Sequence, residues 1–511
     1  MYRFWITGII ILGIMNFVST IRADQQDSPA MDTLRLSLQD VITIALDKSY
    51  TMKSNHLLVA QARETLNSTR ARLQPSIMMN FKLPSYDKSF TEIQQGYGFS
   101  IYNTHTSQTV QGDLQISQRL PTNGTLSLTS SLYHREQSYL TYRDTDTTAR
   151  SFHSSVRVSV NQPLFSFNTI RHDLHNARLS YEKSEHAYQR SRLELVNQVT
   201  SKFYNLYQAQ RGVEIQSEDT RRQEESYQLA QRKFQAGLIP EVEALQSEVN
   251  LALSRNSLLQ AERNLKSQSE DFKQYIGLEL NQLIGLTVDL SYQPVEIDTL
   301  LVLRHGLANR TEIRDMQIDS IIRAVNVRQI DAQWQINGNL SAYYDLSGYS
   351  SDDLKENNLE RLFRSSWEDM KDRPKNKGFT FTLSVPVWDG GVNRAAVNAA
   401  KMALTQTEYN QINQRINIVR EIRSAIDAVH GAYARLEILK RSGEIAGKSY
   451  DISLHRFKNG DITAWELAEG LNKLTSAQTS FLDAFVAYRM ALNDLRMKTM
   501  YDFEHHQSIV E

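Results

Sequence analysis

The residues of this chain that could do chemistry are few, and they gather after two similar motifs. Glu243 follows Lys233-Phe234-Gln235-Ala236-Gly237, and Glu466 and Glu469 follow Arg456-Phe457-Lys458-Asn459-Gly460. Carboxylates three residues apart share one helix face, where together they attract cations. Thr463-Ala464-Trp465-Glu466 also has the spacing of a capping box, in which Glu466 serves only the start of a helix. His172 and His175 have a spacing that could hold a metal. So could Asp502, Glu504, His505 and His506 in the polar tail, but both groups read better as solvated faces, and no metal site is expected. There is no phosphate loop of the G-x-x-x-x-G-K-S/T type, no nucleophile–base triad and no supported pair of catalytic carboxylates. The absence of cysteine removes thiol catalysis, disulfides and Cys-ligated zinc. These residues do not make an enzyme, and no cofactor is implied.

The elements that must position them are long. In 511 residues there are only 21 Gly and 9 Pro, so breakers are scarce. Lys and Arg number 57 against 58 Asp and Glu, which excludes the basic footprint of a nucleic-acid binder. Arg3, the apolar stretch Phe4 to Val18 and a cleavage point after Ala23 form a signal peptide over 1–23. The run is short for a spanning anchor, and no other stretch is apolar enough for one. An exported chain of this kind is periplasmic, secreted or an outer-membrane barrel.

The chain repeats itself. At one offset of 223 residues, Phe234 maps onto Phe457, Gly237 onto Gly460 and Pro163 onto Pro386. The same offset maps Ala244, Leu251, Leu258, Leu265 and Phe272 onto Leu467, Leu474, Phe481, Tyr488 and Leu495, each set stepping by seven. Ile412, Val419, Ile426 and Tyr433 step likewise, as do Ile422, Val429 and Leu436. These are coiled-coil seams. Each half is therefore a helical hairpin whose outgoing arm, about 65 residues at 1.5 Å each, spans roughly 100 Å. A shorter helix opens each half, from near Ser37 to Arg72 and from near Asp298 to Trp334, at an offset of 261. The first half thus carries 38 extra residues before Pro163.

Segments between the helices alternate with period two. Phe379, Phe381, Leu383, Val385 and Val387 are separated by small polar residues, and Leu340, Ala342, Tyr344 and Leu346 form a partner across a polar stretch from Gly348 to Lys377. Ile77, Met79, Phe81 and Leu83 alternate in the first half, as do Val156, Val158 and Val160. This is the lipid-out, lumen-in pattern of a membrane strand, although a soluble sheet has the same alternation. Between them Leu114, Ile116, the turn Pro121-Thr122-Asn123-Gly124 and Leu126, Leu128 and Ser130 predict a further hairpin, either extending the strands above the membrane or forming a surface flap. Pro163 and Pro386 mark the strand–helix junctions, where a proline is tolerated. Four principal strands cannot close a barrel, but three chains with four each give twelve.

The resulting layout is a signal peptide (1–23), an N-terminal helix of repeat 1 (24–75), strands and loops (76–163), a long hairpin (164–280), a linker and first helix of repeat 2 (281–336), strands and loop (337–388), a second long hairpin (389–500) and a polar tail (501–511). The fold class is mainly α with a β-barrel, the helices continuing as a tunnel below a shared barrel.

This order resembles the TolC family of outer-membrane efflux proteins. The resemblance rests on Leu36-Ser37-Leu38-Gln39-Asp40-Val41 with Ala45-Leu46, on the junctions Gln162-Pro163-Leu164-Phe165 and Val385-Pro386-Val387-Trp388-Asp389-Gly390-Gly391, and on the two tip motifs. It implies a homotrimer in outer-membrane lipid with one continuous pore, a passive duct that meets a periplasmic adaptor and an inner-membrane pump or ABC transporter at its tapered tips. Gly237, Pro240, Gly460 and Asp461 are the implied adaptor-docking turns, with Gly at φ > 0 and Pro240 in the first turn of the returning helix. The resemblance also implies a constriction at Glu466 and Glu469, where the family commonly has Asp, with Glu243 as the matching acid of the first hairpin. Phe457 takes the place of a common Tyr and lacks its hydroxyl, and Ile462 takes the place of a tip arginine. A non-channel periplasmic adaptor or scaffold is the alternative reading. Adaptors carry one long hairpin between soluble β domains, which the double repeat does not match.

Overall fold

The computed structural model describes residues 34–95, 99–140, 146–288, 291–352, 358–503 and 507–508. The leader, Glu504, His505 and His506 lie outside the described residues. The chain opens with β1 (Leu34–Leu36), α1 (Leu38–Lys48) and α2 (Tyr50–Ala71). Four long strands follow: β2 (Ser76–Gln95), β3 (Phe99–Arg119), β4 (Thr125–Leu140) and β5 (Asp146–Leu164). Then come the arms α3 (Thr169–Gln235) and α4 (Glu241–Ile276). The second half runs β6 (Ile284–Leu286), α5 (Thr299–Asn309), α6 (Thr311–Ala332), β7 (Asn337–Asp352), α7 (Leu359–Asp372), β8 (Asn376–Ser384), α8 (Val392–Asn459) and α9 (Ala464–Thr499). It ends in the short antiparallel pair β9 (Tyr501–Asp502) and β10 (Gln507–Ser508).

The repeat is nearly identical in helix length. α1 and α5 have 11 residues, α2 and α6 have 22, α4 and α9 have 36, and α3 and α8 have 67 and 68. Matching local signals set these lengths. Ser37 caps α1 in a capping box with Asp40, and Asp298 caps α5 by accepting from Leu300 and Leu301. The single opening helix read from the sequence in each half is two helices, broken at Ser49 and at Arg310, where ψ turns to 129° and 115°. These two positions also lie 261 apart, so the break belongs to the repeat. β1 and β6 pair in parallel, Leu34 to Ile284 and Leu36 to Leu286, and tie the two halves together. Around them α1, α5 and the long arms bury one core that includes Val41, Phe203, Phe272, Val302, Ile422, Val429, Leu436, Phe485, Tyr488 and Leu495. Ile412, at the head of one heptad series, is instead exposed.

All the long strands lie in one antiparallel sheet of order β2-β3-β4-β5-β7-β8. The four principal strands are present as β2, β5, β7 and β8, but the extra hairpin β3–β4 is neither an extension nor a flap. It is inserted between β2 and β5, so the sheet is six strands wide where four were expected. The cause is visible in the register. Ile77, Ile116, Leu128, Val158 and Tyr344 sit opposite one another across five strands, and so do Met79, Leu114, Ser130, Val156 and Leu346. Side chains opposite one another share a face, so this face is largely apolar through the hairpin. The other carries Asn80, Asp113, Ser131, Ser155 and Ser347. On it Ser131 donates to Asp113 at 2.5 Å, and Arg157 pairs with Asp345 at 3.0 Å.

A helix, α7, occupies nearly half of the stretch read as a polar loop. It buries Leu362, Ser366 and Met370 against β7 and β5. Ser154 and Ser366 hydroxyls meet at 2.8 Å, and Phe152 meets Phe363 edge-on at 5.4 Å. Gly348 permits this contact, because a Cβ there would lie 1.9 Å from the Ser366 carbonyl oxygen. Gly348→Leu should lift α7 from the sheet and expose its Arg361, Arg364 and Lys371 peptide bonds to trypsin, with the long helices unchanged by circular dichroism. A digest like that of the parent would show that α7 does not depend on this contact.

Pro163 is the penultimate residue of β5, and Pro386 follows β8 by two residues. Both end strands; neither lies in a helical first turn. Among the described residues no helix is long and apolar enough to cross a membrane.

Candidate functional site at the hairpin tips

The two tips are built alike. α3 ends in a turn where Gly237 has φ 72°, Gly237 N–H donates to the Phe234 carbonyl and Leu238 N–H to the Lys233 carbonyl, both at 2.8 Å. α8 ends at Gly460 with φ 91°, where Gly460 N–H donates to the Phe457 carbonyl at 3.1 Å and Asp461 N–H to the Arg456 carbonyl at 3.0 Å. Both are Schellman-type endings, in which a left-handed residue lets the next N–H reach back to the helix. The returning helices start differently. Pro240 is the N-cap of α4, in extended conformation, and so lies one residue before the first turn in which the sequence placed it. Thr463 caps α9 in a full capping box: its hydroxyl accepts from Glu466 N–H at 3.3 Å, and Glu466 accepts from Thr463 N–H at 2.8 Å.

The sequence-predicted residues part company here. Glu466 and Glu469 are exposed on α9, and Glu469 pairs with Lys473 at 3.3 Å. The backbone N–H of Thr463, then its hydroxyl, hold the Glu466 carboxyl below the usual range. Phe457 is different from what was expected of a constriction residue. It is fully buried in a tip core with Ala230, Tyr450, Ala464, Leu467 and Leu471, because a Phe without a hydroxyl gains most by leaving water. Ile462, in the place of the family arginine, packs partly buried against the same core. Asp461 is exposed in the turn.

At the tips two contacts cross from the first hairpin to the second. Lys233 donates to the Phe457 carbonyl and lies 4.6 Å from the centre of the Phe457 ring. Glu243 accepts from Ala464 N–H at 3.1 Å. A cation thus sits at the C-terminus of α8 and an anion at the N-terminus of α9, each opposing the partial charge of that helix end. Deeper in, buried Asp219 of α3 accepts from Ser254 of α4 at 2.5 Å and Thr475 of α9 at 2.7 Å. The sequence reading missed Lys233 and Asp219. Lys233 was visible only as the counterpart of Arg456 in the repeat, and nothing local marks Asp219 among the charges of α3.

His172 meets Asn176 at 3.0 Å, and Asp502 pairs with Arg496 at 3.2 Å. Among the described residues no group of His, Asp and Glu could hold a metal ion.

The model of the outer membrane efflux protein family matches residues 142–278 and 305–498, most of both hairpins and the strands between them. The chain belongs to this family. By family it is an outer-membrane efflux channel, and the outer membrane is its place. Nodulation protein T of Rhizobium leguminosarum bv. trifolii is 20% identical over 323 residues, 63% of this chain and 66% of that protein. The fold matches the crystal structure of CusC with a TM-score of 0.65 at 14% identity, over 93% of this chain and 95% of that one. It matches the outer membrane channel CmeC of Campylobacter jejuni equally well, with a TM-score of 0.65 at 16% identity over 90% and 85%.

Proposed function

We propose that three copies assemble into the passive exit duct of a tripartite efflux or type I secretion system. The sheet crosses the outer membrane, the helices form a tunnel through the periplasm, and an adaptor with an inner-membrane pump or ABC transporter opens the tips. The observation that carries this reading is a sheet that does not close on itself above arms of 67 and 68 residues. Such arms extend about 100 Å, too far for one compact core. The exposed side chains support self-association. Met402, Tyr409 and Ile416 on α8 step by seven and face solvent in one chain, as do Ile438, Ile445 and Ile452. Val242, Leu245, Val249 and Leu253 form a second exposed seam on α4. Exposed heptad seams on different arms suit packing against the next copy. Mass measurement of the detergent-extracted protein should give three chains. A monomer stable without detergent would overturn the duct.

The adaptor is proposed to grip the turns at Gly237 and Gly460, with Pro240 and Asp461 beside them. A Cβ on either glycine would meet nothing within 4 Å, so only φ demands glycine there. Gly460→Val should strain the turn by about 1–3 kcal/mol. Export should fall several-fold while trimers remain in the membrane. Unchanged export would remove this turn from the docking surface.

A further inference from the structure

The inserted hairpin changes the exit pore. Three copies of a four-stranded sheet make a ring of twelve, but this sheet has six strands. We infer that the trimer closes an eighteen-stranded barrel, whose mouth passes bulkier hydrated cargo than a twelve-stranded exit would; this rests on the duct reading above.

Four observations carry it. β3 and β4 are 21 and 16 residues long, where about 9–11 suffice to cross a bilayer. Both are paired on both sides: β3 meets β2 and β4, and β4 meets β3 and β5, in registers that run most of their length. The apolar and polar faces continue through them, so the hairpin strands carry the same membrane pattern as their neighbours. The hairpin is also fastened at its helical end. Asn123 Nδ2 donates to the Phe167 carbonyl at 3.4 Å, Asn168 Nδ2 to the Pro121 carbonyl at 2.8 Å, and Gln162 Nε2 to the Thr122 carbonyl at 2.9 Å. Thr122 and Thr169 hydroxyls donate to Gln162 and Asn123. The β3–β4 turn is therefore built into the junction between β5 and α3, which a movable flap would not be.

Six antiparallel strands also close correctly. β2 and β8 are the edges of the sheet, and they run in opposite directions, so β8 of one copy can pair with β2 of the next. In a bilayer such edges must be paired, because lipid offers no hydrogen bonds. Barrel diameter grows roughly linearly with strand number, so eighteen strands give a mouth about half again as wide as twelve.

The test uses the full-length trimer and a variant lacking residues 99–140, which joins β2 to β5. Electron microscopy should show eighteen strands in the parent. With each protein in planar bilayers, polyethylene glycols of graded size are added on the extracellular side. The parent should admit larger polymers than the variant. Should the deletion fail to fold, cysteine pairs in the parent decide the same question, since the chain has no cysteine of its own. Met79→Cys with Leu114→Cys and Ser130→Cys with Val156→Cys should crosslink within one chain under a membrane-permeant oxidant. Met79→Cys with Val156→Cys, neighbours only if β2 met β5, should not. A trimer with twelve strands, or crosslinking of that last pair, overturns the wide barrel and leaves the duct intact. A detergent-independent monomer overturns both.

Discussion

Removing the two tip contacts between the hairpins, by Lys233→Ala with Glu243→Ala, should leave a trimer that conducts without its partners. Both residues belong to the first hairpin, and both hold an end of a helix in the second. Lys233 gives the Phe457 carbonyl a charged hydrogen bond, a class worth about 1.5–3 kcal/mol. Its half-exposed position, where water screens the charge, argues for the lower end. Glu243 at Ala464 N–H adds the usual helix-end effect of about 0.3–1 kcal/mol. If opening the tips separates the hairpins, these contacts exist only in the closed state, and 1.4 kcal/mol is a tenfold shift. Three protomers losing them together should raise the resting open fraction of purified trimers at least tenfold, read as single-channel conductance in a bilayer. Cells carrying the variant should admit bulky antibiotics. The packing of Phe457 and Leu467 remains in the variant, so trimer mass and melting should change little. A resting conductance equal to the parent's would show that the contacts merely decorate the tip. Lys233→Arg should restore closure, since it keeps the cation.

Why Lys233 escaped the sequence shows where pattern reading stops. The heptads, the caps at Ser37 and Asp298 and the tip glycines are local signals, each set by the few residues around it, and the repeat doubled every one of them. The contact of Lys233 with Phe457 joins residues 224 apart and depends on how two hairpins lie together, which periodicity does not encode. The inserted hairpin failed for a related reason. Alternation at Leu114, Ile116, Leu126 and Leu128 announces strands but not their neighbours, and only the register with Ile77 and Val158 places them. α7 was hidden differently. Its Leu359, Leu362, Phe363 and Met370 have helical spacing, but they sit among charges in a stretch that begins and ends like a loop, and their packing surface is a sheet distant in sequence. The breaks at Ser49 and Arg310 have neither proline nor glycine to mark them. Phe457 illustrates the limit of analogy: the position keeps its aromatic character, but without a hydroxyl its ring is buried in the tip core.

Neutralising both acids of α9, by Glu466→Gln with Glu469→Gln, should remove most of the cation preference of the channel and its block by multivalent cations from the periplasmic side. Both carboxylates are exposed on one face of the first turns after the tip. Around a threefold axis each becomes a ring of three, and such rings draw cations and slow anions. Mutual repulsion in a ring raises carboxyl pKa values, but Glu466 is held the other way by the N–H and hydroxyl of Thr463. The sign is therefore fixed for that residue. Its pKa in the folded chain lies below the unfolded value, so its capping contribution is complete above the unfolded value and fades only as pH falls through the lower, folded one. Cation preference carried by Glu466 should therefore persist as pH falls to the ordinary glutamate range. A single variant isolates the share of Glu466. Glu469→Gln, which leaves Glu466 as the remaining acid, should leave a preference that is flat between pH 7 and 5. Because Gln can also complete a capping box, Glu466→Gln should melt close to the parent, so a changed reversal potential reports the pore and not a frayed helix. A double variant with the parent's reversal potential and the parent's block would place the selective ring elsewhere on the tunnel wall.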